Sequence, residues 1–579
     1  MSTTTQGRIS RGQRILDAIE RVGNKLPEPF TLFLGLFIIT GLISTAMAMA
    51  GVSVAIPGAD ETVTIKGLFT GEGLSWLTTT MGDNYIGFPP LATVLPILLA
   101  VGVAEKSGML AAAVRIAFGS SPRWLLPYAV GFVGVVGSIM ADSAFIIIPP
   151  LAALVFKAAG RHPMAGLIGG FAATGAGYST SVVPTSLDAL FAGITTSVME
   201  TLPGTEYSAV NPVSNYFFNI VASIVLSVIA GFIIDKLIEP NMVRKGISRD
   251  TVGSGLSPEY RAADSPFANN APEGEVVDGD RIGTGAEAGE RDSDARSTGG
   301  ATGAGSASGD GDASAAGDAP MKAHLEPEEK KGLLWAVVSG LLLTALILFA
   351  VLIPTSPWRN EDGGFLPKSP LLSSIVFIVF AYFITMGIVY GIKVRTIKSM
   401  NDVVRMMGES IVDMMSFLIL AFILGQFIAL FNWTGIGSWI AVTGAASLEA
   451  INLTGFPAII GFMLLASILN LFIVSGSSMW TLMAAVFVPM FALLGYEPAF
   501  VQAAFRVGDS ATQVITPLNP YMIVLLGLVR RYEPDAGLGT VISRMFPFVI
   551  PFWLAWAALL AVWYFLDLPL GPGNGIFLG

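Results

Sequence analysis

The sequence predicts an all-α polytopic membrane protein of two inverted-repeat halves, with about nine transmembrane helices and two re-entrant helical hairpins. Three observations predict it. Apolar runs long enough to cross a bilayer recur from about residue 30 to about residue 566. Only 13% of the residues are charged and the mean hydropathy is +0.68, whereas soluble domains carry roughly one quarter charged residues. Each half also holds apolar segments broken by proline, glycine and polar residues in a similar order. The alternating short strands of an outer-membrane barrel do not appear in the pattern.

The elements follow in order. Residues 1–28 read as a cytoplasmic N-terminus rather than a secretory signal, because the first apolar run is late and long. Within it, Ile15, Leu16, Ile19 and Val22 face away from Arg14, Asp17, Glu20 and Arg21, the pattern of a helix lying at the membrane surface. Residues 29–240 form the first membrane half and 329–579 the second. Clear spans fall near 30–51, 124–141, 212–237, 332–354, 371–392, 457–474 and 546–566. The stretch 84–120, with Pro89-Pro90 and a Glu105-Lys106 turn, and the stretch 406–448, with Gly425-Gln426 and Asn432-Trp433-Thr434-Gly435, read as the two hairpins.

Between the halves, 241–328 reads as an acidic, disordered cytoplasmic linker. Residues 250–320 hold 14 Asp/Glu against four Arg, which leaves the rest of the chain with 28 residues of each sign. This Gly/Ala/Ser/Asp-rich stretch cannot bury enough apolar surface to offset its ordering entropy. Lys and Arg placement sets the orientation. Basic residues before the first span, at both ends of the linker, at 393–405 and at 530–544 mark inside loops. The tail 567–579 has none and is expected outside. This topology puts the protein in the cell membrane and requires an odd number of full spans.

The internal repeat is visible at an offset of 335, where Ser143/Ser478, Phe156/Phe491, Gly160/Gly495 and Pro163/Pro498 coincide. Further on, 180-TSVVPTSLDALFAG-193 lies near 512-TQVITPLNPYMIVLLG-527. Paired, interrupted spans point to a secondary transporter whose site lies between the breaks near the midplane.

The candidate site residues come from those breaks. Asp188 follows the first-half break and serves either as a proton carrier or as a helix cap. Thr180 lies in the same break, and Asp142 is placed to cap the span that begins at Ser143 or to line the site. In the second half, Ser477 and Ser478 belong to a polar turn, Asn470 is an amide in an apolar run and needs partners, and Trp480 is placed either to stack on an aromatic ring or to anchor at an interface. Arg506 and Asp509 share a helix face. Either charge alone at mid-bilayer costs at least ~2.5–3.5 kcal/mol, so they read as a structural pair or as a substrate anchor and proton carrier. Pro517 and Asn519 open the backbone after them.

Other chemistries are disfavoured by composition. There are no cysteines and only two histidines, so thiolate and histidine metal centres are not expected, and neither is any cofactor. No P-loop or His-Glu-x-x-His motif occurs. No nucleic-acid partner is expected. An ion channel and an intramembrane protease remain remote alternatives, and a sodium-coupled di- or tricarboxylate transporter is the nearer one.

The segments 18-AIERVGNKLPEPFTLF-33, 142-DSAFIIIPPLAALVFKAAGRHPMAGL-167, 475-SGSSMWTLMAAVFVPMF-491 and 505-FRVGDSATQVITPLNPYM-522 resemble the AbgT family of p-aminobenzoyl-glutamate transporters. The resemblance runs through both membrane halves in order and skips the acidic linker. It implies a homodimer of subunits with nine transmembrane helices and two re-entrant hairpins. It also implies no enzymatic activity, but proton-driven transport of p-aminobenzoyl-glutamate, related folate breakdown products or sulfonamide antimetabolites. A small anionic aromatic substrate would then meet Asn470, Ser477, Ser478, Trp480, Arg506, Pro517 and Asn519. Asp188 and Asp509 would handle protons, and sodium is the alternative coupling ion.

Overall fold

The computed structural model describes residues 27–57, 62–119, 121–202, 204–249, 325–360, 362–366, 369–473 and 475–578. The amphipathic segment expected at 13–23 and most of the acidic linker lie outside the described residues. The membrane unit comprises both halves of the chain.

The first half opens with α1 (Pro29–Met49), an apolar helix with Pro29 at its first position, and a small hairpin of β1 (Ser53–Ala55) and β2 (Thr62–Thr64) follows. Next come α2 (Gly71–Ile86), α3 (Pro89–Lys106), α4 (Met109–Gly119), α5 (Leu126–Val136) with a 3-10 turn Gly137–Met140, and α6 (Ser143–Ala158). Then α7 (Pro163–Ala176) and α8 (Ser186–Met199) flank a break, and α9 (Tyr216–Ile233) continues through a π turn to Arg244.

The second half holds α10 (Pro327–Leu352), α11 (Ile375–Val394), the surface helix α12 (Met400–Asp413), α13 (Met415–Trp433) and α14 (Ile436–Ala450). It ends with α15 (Phe456–Asn470), α16 (Gly476–Leu493), α17 (Pro498–Gln513), α18 (Pro520–Arg530) and α19 (Leu538–Leu566). Helix reaches Arg244 at the end of the first half and resumes at Pro327 in the second.

Eight helical stretches among the described residues are long and apolar enough to cross a membrane. The protein is a multi-pass membrane protein. Its apolar side chains stay exposed, as Leu341, Leu342, Leu346 and Phe349 do on α10, and hydrocarbon solvates such a face at no cost.

The helices fall differently from the expected hairpin boundaries. Residues 71–106 form one 36-residue apolar stretch, because Pro89 and Pro90 occupy the first turn of α3, where proline starts a helix instead of reversing it. Likewise Gly425 and Gln426 lie inside α13. Gln426 donates to the Met81 carbonyl at 2.8 Å and accepts from Asn84 at 3.1 Å, so its amide is satisfied against α2. The chain does break after α13, at Gly435, which adopts a left-handed φ of 76°.

Two segments expected as whole spans are short instead. α15 has 15 residues, about 22 Å at 1.5 Å per residue, against a hydrocarbon core of ~30 Å. The arm Leu126–Met140 is equally short.

At the offset of 335, two pairs of positions share local geometry. Pro163 and Pro498 both begin helices, α7 and α17. Gly160 and Gly495, three residues earlier, both take left-handed φ values, 69° and 89°, a conformation that costs glycine nothing.

Candidate functional site

α17 is the centre of the site. All 16 of its residues are buried, although it carries Arg506, Asp509, Gln502 and Gln513. It is packed among α7, α8, α15, α16 and α19, so each polar group must find a protein partner or a cavity.

Arg506 pairs across the halves. Its Nη1 lies 2.7 Å from Asp188 Oδ1 and donates to the Ser179 carbonyl at 2.6 Å. The guanidinium carbon also stands 5.1 Å over the Phe191 ring. Ser179 lies in the break between α7 and α8, so the break supplies a carbonyl that a continuous helix would have used internally.

Asp188 takes one of the two roles read for it, the helix cap. At the third position of α8 it completes a capping box, accepting from Thr185 N at 2.7 Å and Thr185 Oγ1 at 2.8 Å. Its other oxygen takes Arg506 and the Asn219 amide, the latter at 3.2 Å. Asn219 on α9 was not singled out from the sequence, where it is one amide in an apolar run with no motif around it. Thr180 stabilises the same break, donating to the Asn219 carbonyl at 2.9 Å.

Asp509 is left out of that pairing. Its Oδ2 is buried and has no hydrogen-bond partner among the described residues. It faces the start of α16, where a methyl on Gly476 would lie 3.7 Å from it. Asn470 at the end of α15 donates to the Asp509 carbonyl at 2.5 Å and to Thr512 Oγ1 at 3.0 Å, which pins α15 to α17.

The polar turn before α16 is a helix cap. Ser475 accepts from Ser478 N at 3.3 Å and from Ser478 Oγ at 2.9 Å, and it meets Ser477 Oγ at 3.1 Å. Asn519 caps α18 in the same way, accepting from Tyr521 N at 3.0 Å. Pro517 is buried in the break between α17 and α18.

Trp480 is a core aromatic, fully buried, with its ring 4.6 Å from that of Phe505. Its Nε1 donates to the Phe191 carbonyl and to Thr195 Oγ1, both at 3.2 Å. This geometry is neither a headgroup anchor nor a ring lining the open cavity.

A cavity of about 730 Å³ lies in front of these groups. Ser477, Ser478, Asn519 and Asp142 line it, together with Tyr178 and Tyr521. Asn470, Thr180, Asp188, Trp480, Arg506, Asp509 and Pro517 are not in its lining. Asp142 precedes α6 without a side-chain capping bond, so the cap expected of it is not formed. The cavity also reaches Pro27–Phe30 at the start of α1 and Asp413 at the end of α12.

The comparisons agree with this architecture. The AbgT transporter family profile matches residues 14–252 and 306–578, and the gap falls in the acidic linker. The chain is 32% identical over 574 residues to the p-aminobenzoyl-glutamate transport protein of Escherichia coli K12, covering 99% of each. The crystal structure of the Alcanivorax borkumensis transporter YdaH, described as having an unusual topology, is similar with a TM-score of 0.77 and 31% identity, covering 94% of this chain and all of that one. Neisseria gonorrhoeae MtrF, described as illuminating a class of antimetabolite efflux pumps, matches with a TM-score of 0.78 and 33% identity, covering 97% of this chain and all of that one. The chain belongs to the AbgT transporter family.

Proposed function

We propose that the protein is a proton-coupled secondary transporter of p-aminobenzoyl-glutamate and related folate catabolites or sulfonamide-type antimetabolites. The observation that carries this reading is the cavity between the breaks of the two halves, backed by the buried Arg506–Asp188 pair at 2.7 Å and the unpartnered Asp509 carboxyl. The E. coli relative's substrate and the efflux role described for MtrF support the substrate class.

Asp509 is the proton carrier in this account. It is buried beside a cation that is already committed to Asp188. A carboxyl group so placed can take up and release a proton as the site opens and closes to water. Asp188 acts with it by holding or freeing Arg506.

The membrane arrangement is part of the proposal. The short pairs 126–158 and 456–493 serve as the re-entrant hairpins, with tips at Ala141-Asp142 and at the Ser475 turn. α7 with α8, and α17 with α18, each make one broken span. That assignment yields nine spans, an inverted repeat, an N-terminus in the cytoplasm and a C-terminus outside. The cavity then opens toward the cytoplasm, beside Glu28 and Asp413. The same reading makes the protein a homodimer in the cell membrane.

Exchange of radiolabelled p-aminobenzoyl-glutamate across proteoliposomes tests the substrate class. Exchange above that of empty vesicles is expected, and none with a folded protein would overturn the reading.

A further inference from the structure

The cavity has lining that the reading of the breaks leaves without a role. Gln513, the last residue of α17, lines it while only 4% exposed, and its Oε1 has no hydrogen-bond partner among the described residues. Asp142 lines the same cavity with its carboxylate unused by its helix, and Tyr521 lines it as well.

Aromatic rings connect these groups. Phe145 stacks on Tyr521 with centroids 5.2 Å apart and planes 3° apart, and Tyr178 lies 6.2 Å from Phe145. Tyr178 also borders the first turn of α16, since a methyl on Gly476 would come within 3.5 Å of its ring. Val514, next to Gln513, packs at Gly175 beside Phe145. The rings therefore run from the N-terminus of α16 toward Asp142, with Gln513 beside them.

The polar groups along this shelf differ in kind. Asp142 and Gln513 Oε1 are acceptors. The serine hydroxyls of Ser477 and Ser478 and the positive end of α16 favour an anion. A ligand carboxylate is repelled by Asp142 and drawn to α16. An N–H donor has the opposite preference. A buried amide oxygen with no partner is costly to leave unfilled, and a site built around such a group rejects an analogue that lacks the matching donor.

We propose that Gln513 and Asp142 form a subsite for an aryl amine. Its ring rests on Phe145, Tyr178 and Tyr521, and its carboxylate tail points to the first turn of α16. This rests on the substrate class proposed above and adds orientation and the residues that select the amine.

The test measures Kd for p-aminobenzoyl-glutamate and for benzoyl-glutamate, which lacks only the amine, on the purified full-length protein. Wild type is expected to prefer the amine by about tenfold or more, the scale of one or two hydrogen bonds. Gln513→Leu should bring the ratio of the two constants close to one, and Asp142→Asn, which keeps an acceptor but loses the charge, should lower it less. Size exclusion and a thermal melt report folding. Should Gln513→Leu fail to fold, Gln513→Met and the wild-type ratio decide. Equal wild-type binding of both compounds overturns the subsite and leaves the proposed function standing, as does a full ratio retained in the folded variants. No binding of either compound by wild type overturns the substrate class and the subsite with it.

Discussion

Arg506 is 1% exposed and shares its guanidinium with an aspartate, a backbone carbonyl and a ring from the other half of the chain. Removing one partner of such a pair strands the other charge, at ~3–5 kcal/mol. Asp188→Ala should therefore lower thermal stability strongly, and Arg506→Ala similarly. Replacing both residues together by apolar ones should cost less than the sum of the single changes, measured as a double-mutant cycle in detergent melts. Purely additive losses would show that the pair does not couple. Arg506→Lys should also lose flux, because a compact ammonium gives up the planar stack over the Phe191 ring.

The sequence made Arg506, Asp188 and Asp509 legible as charges with no place in hydrocarbon, but not their pairing. Shared helical spacing favours Arg506 with Asp509. A helix side chain leans toward the N-terminus, so Arg506 points away from a residue three positions on, and cation-before-acid is the weaker order. Asp188 lies 318 positions earlier, and nothing in one sequence announces that contact. Gln513 and Tyr521 were missed for a related reason. They carry no formal charge in the bilayer, and only the cavity marks them.

At the scale of elements, Gly508 fixes how closely α15 meets α17. A methyl there would stand 2.5 Å from the Met463 carbonyl and 2.6 Å from Ala466 Cβ. Overpacking of this kind costs about 1–3 kcal/mol. Gly508→Ala should lower the melting temperature and loosen the Asn470 contacts that hold the site. An unchanged melt would mean that the helices separate freely.

The connection before α7 carries a pH dependence. His162 is fully buried there, its Nε2 3.1 Å from the Ile247 carbonyl. Burial pushes its imidazole below the usual histidine value, so the folded state resists a proton that the unfolded chain takes up near pH 6.5. Its contribution is intact above that pH and is lost as pH falls toward the lower folded-state value. Melting temperature should drop between about pH 6.5 and 5 in wild type, and drop less in His162→Gln. An identical slope in both proteins would exclude the residue as the cause.

Helix positions were easier to read than their relation to the membrane. Prolines, glycines and polar turns marked the breaks between α7 and α8, before α16, and between α17 and α18. Whether a proline pair begins a helix or reverses a chain depends on what packs against it, as the neighbours of Gln426 show.

Over the whole molecule, the membrane halves form the working unit, and the family match skips residues 253–305. Deleting those residues should leave flux within about twofold, since neither the family match nor the described helices include them. A larger loss would give the acidic segment a regulatory role.

The central claim is that a proton gradient drives an aromatic anion through the site at Arg506, Asp188 and Asp509. Its most direct measurement is flux of radiolabelled p-aminobenzoyl-glutamate in proteoliposomes under an imposed pH gradient, with a sodium gradient as the control. The account predicts flux that rises with the pH gradient in wild type and loses that response in Asp509→Asn. Flux driven by sodium and indifferent to pH, or a full pH response in the folded Asp509→Asn protein, would contradict it.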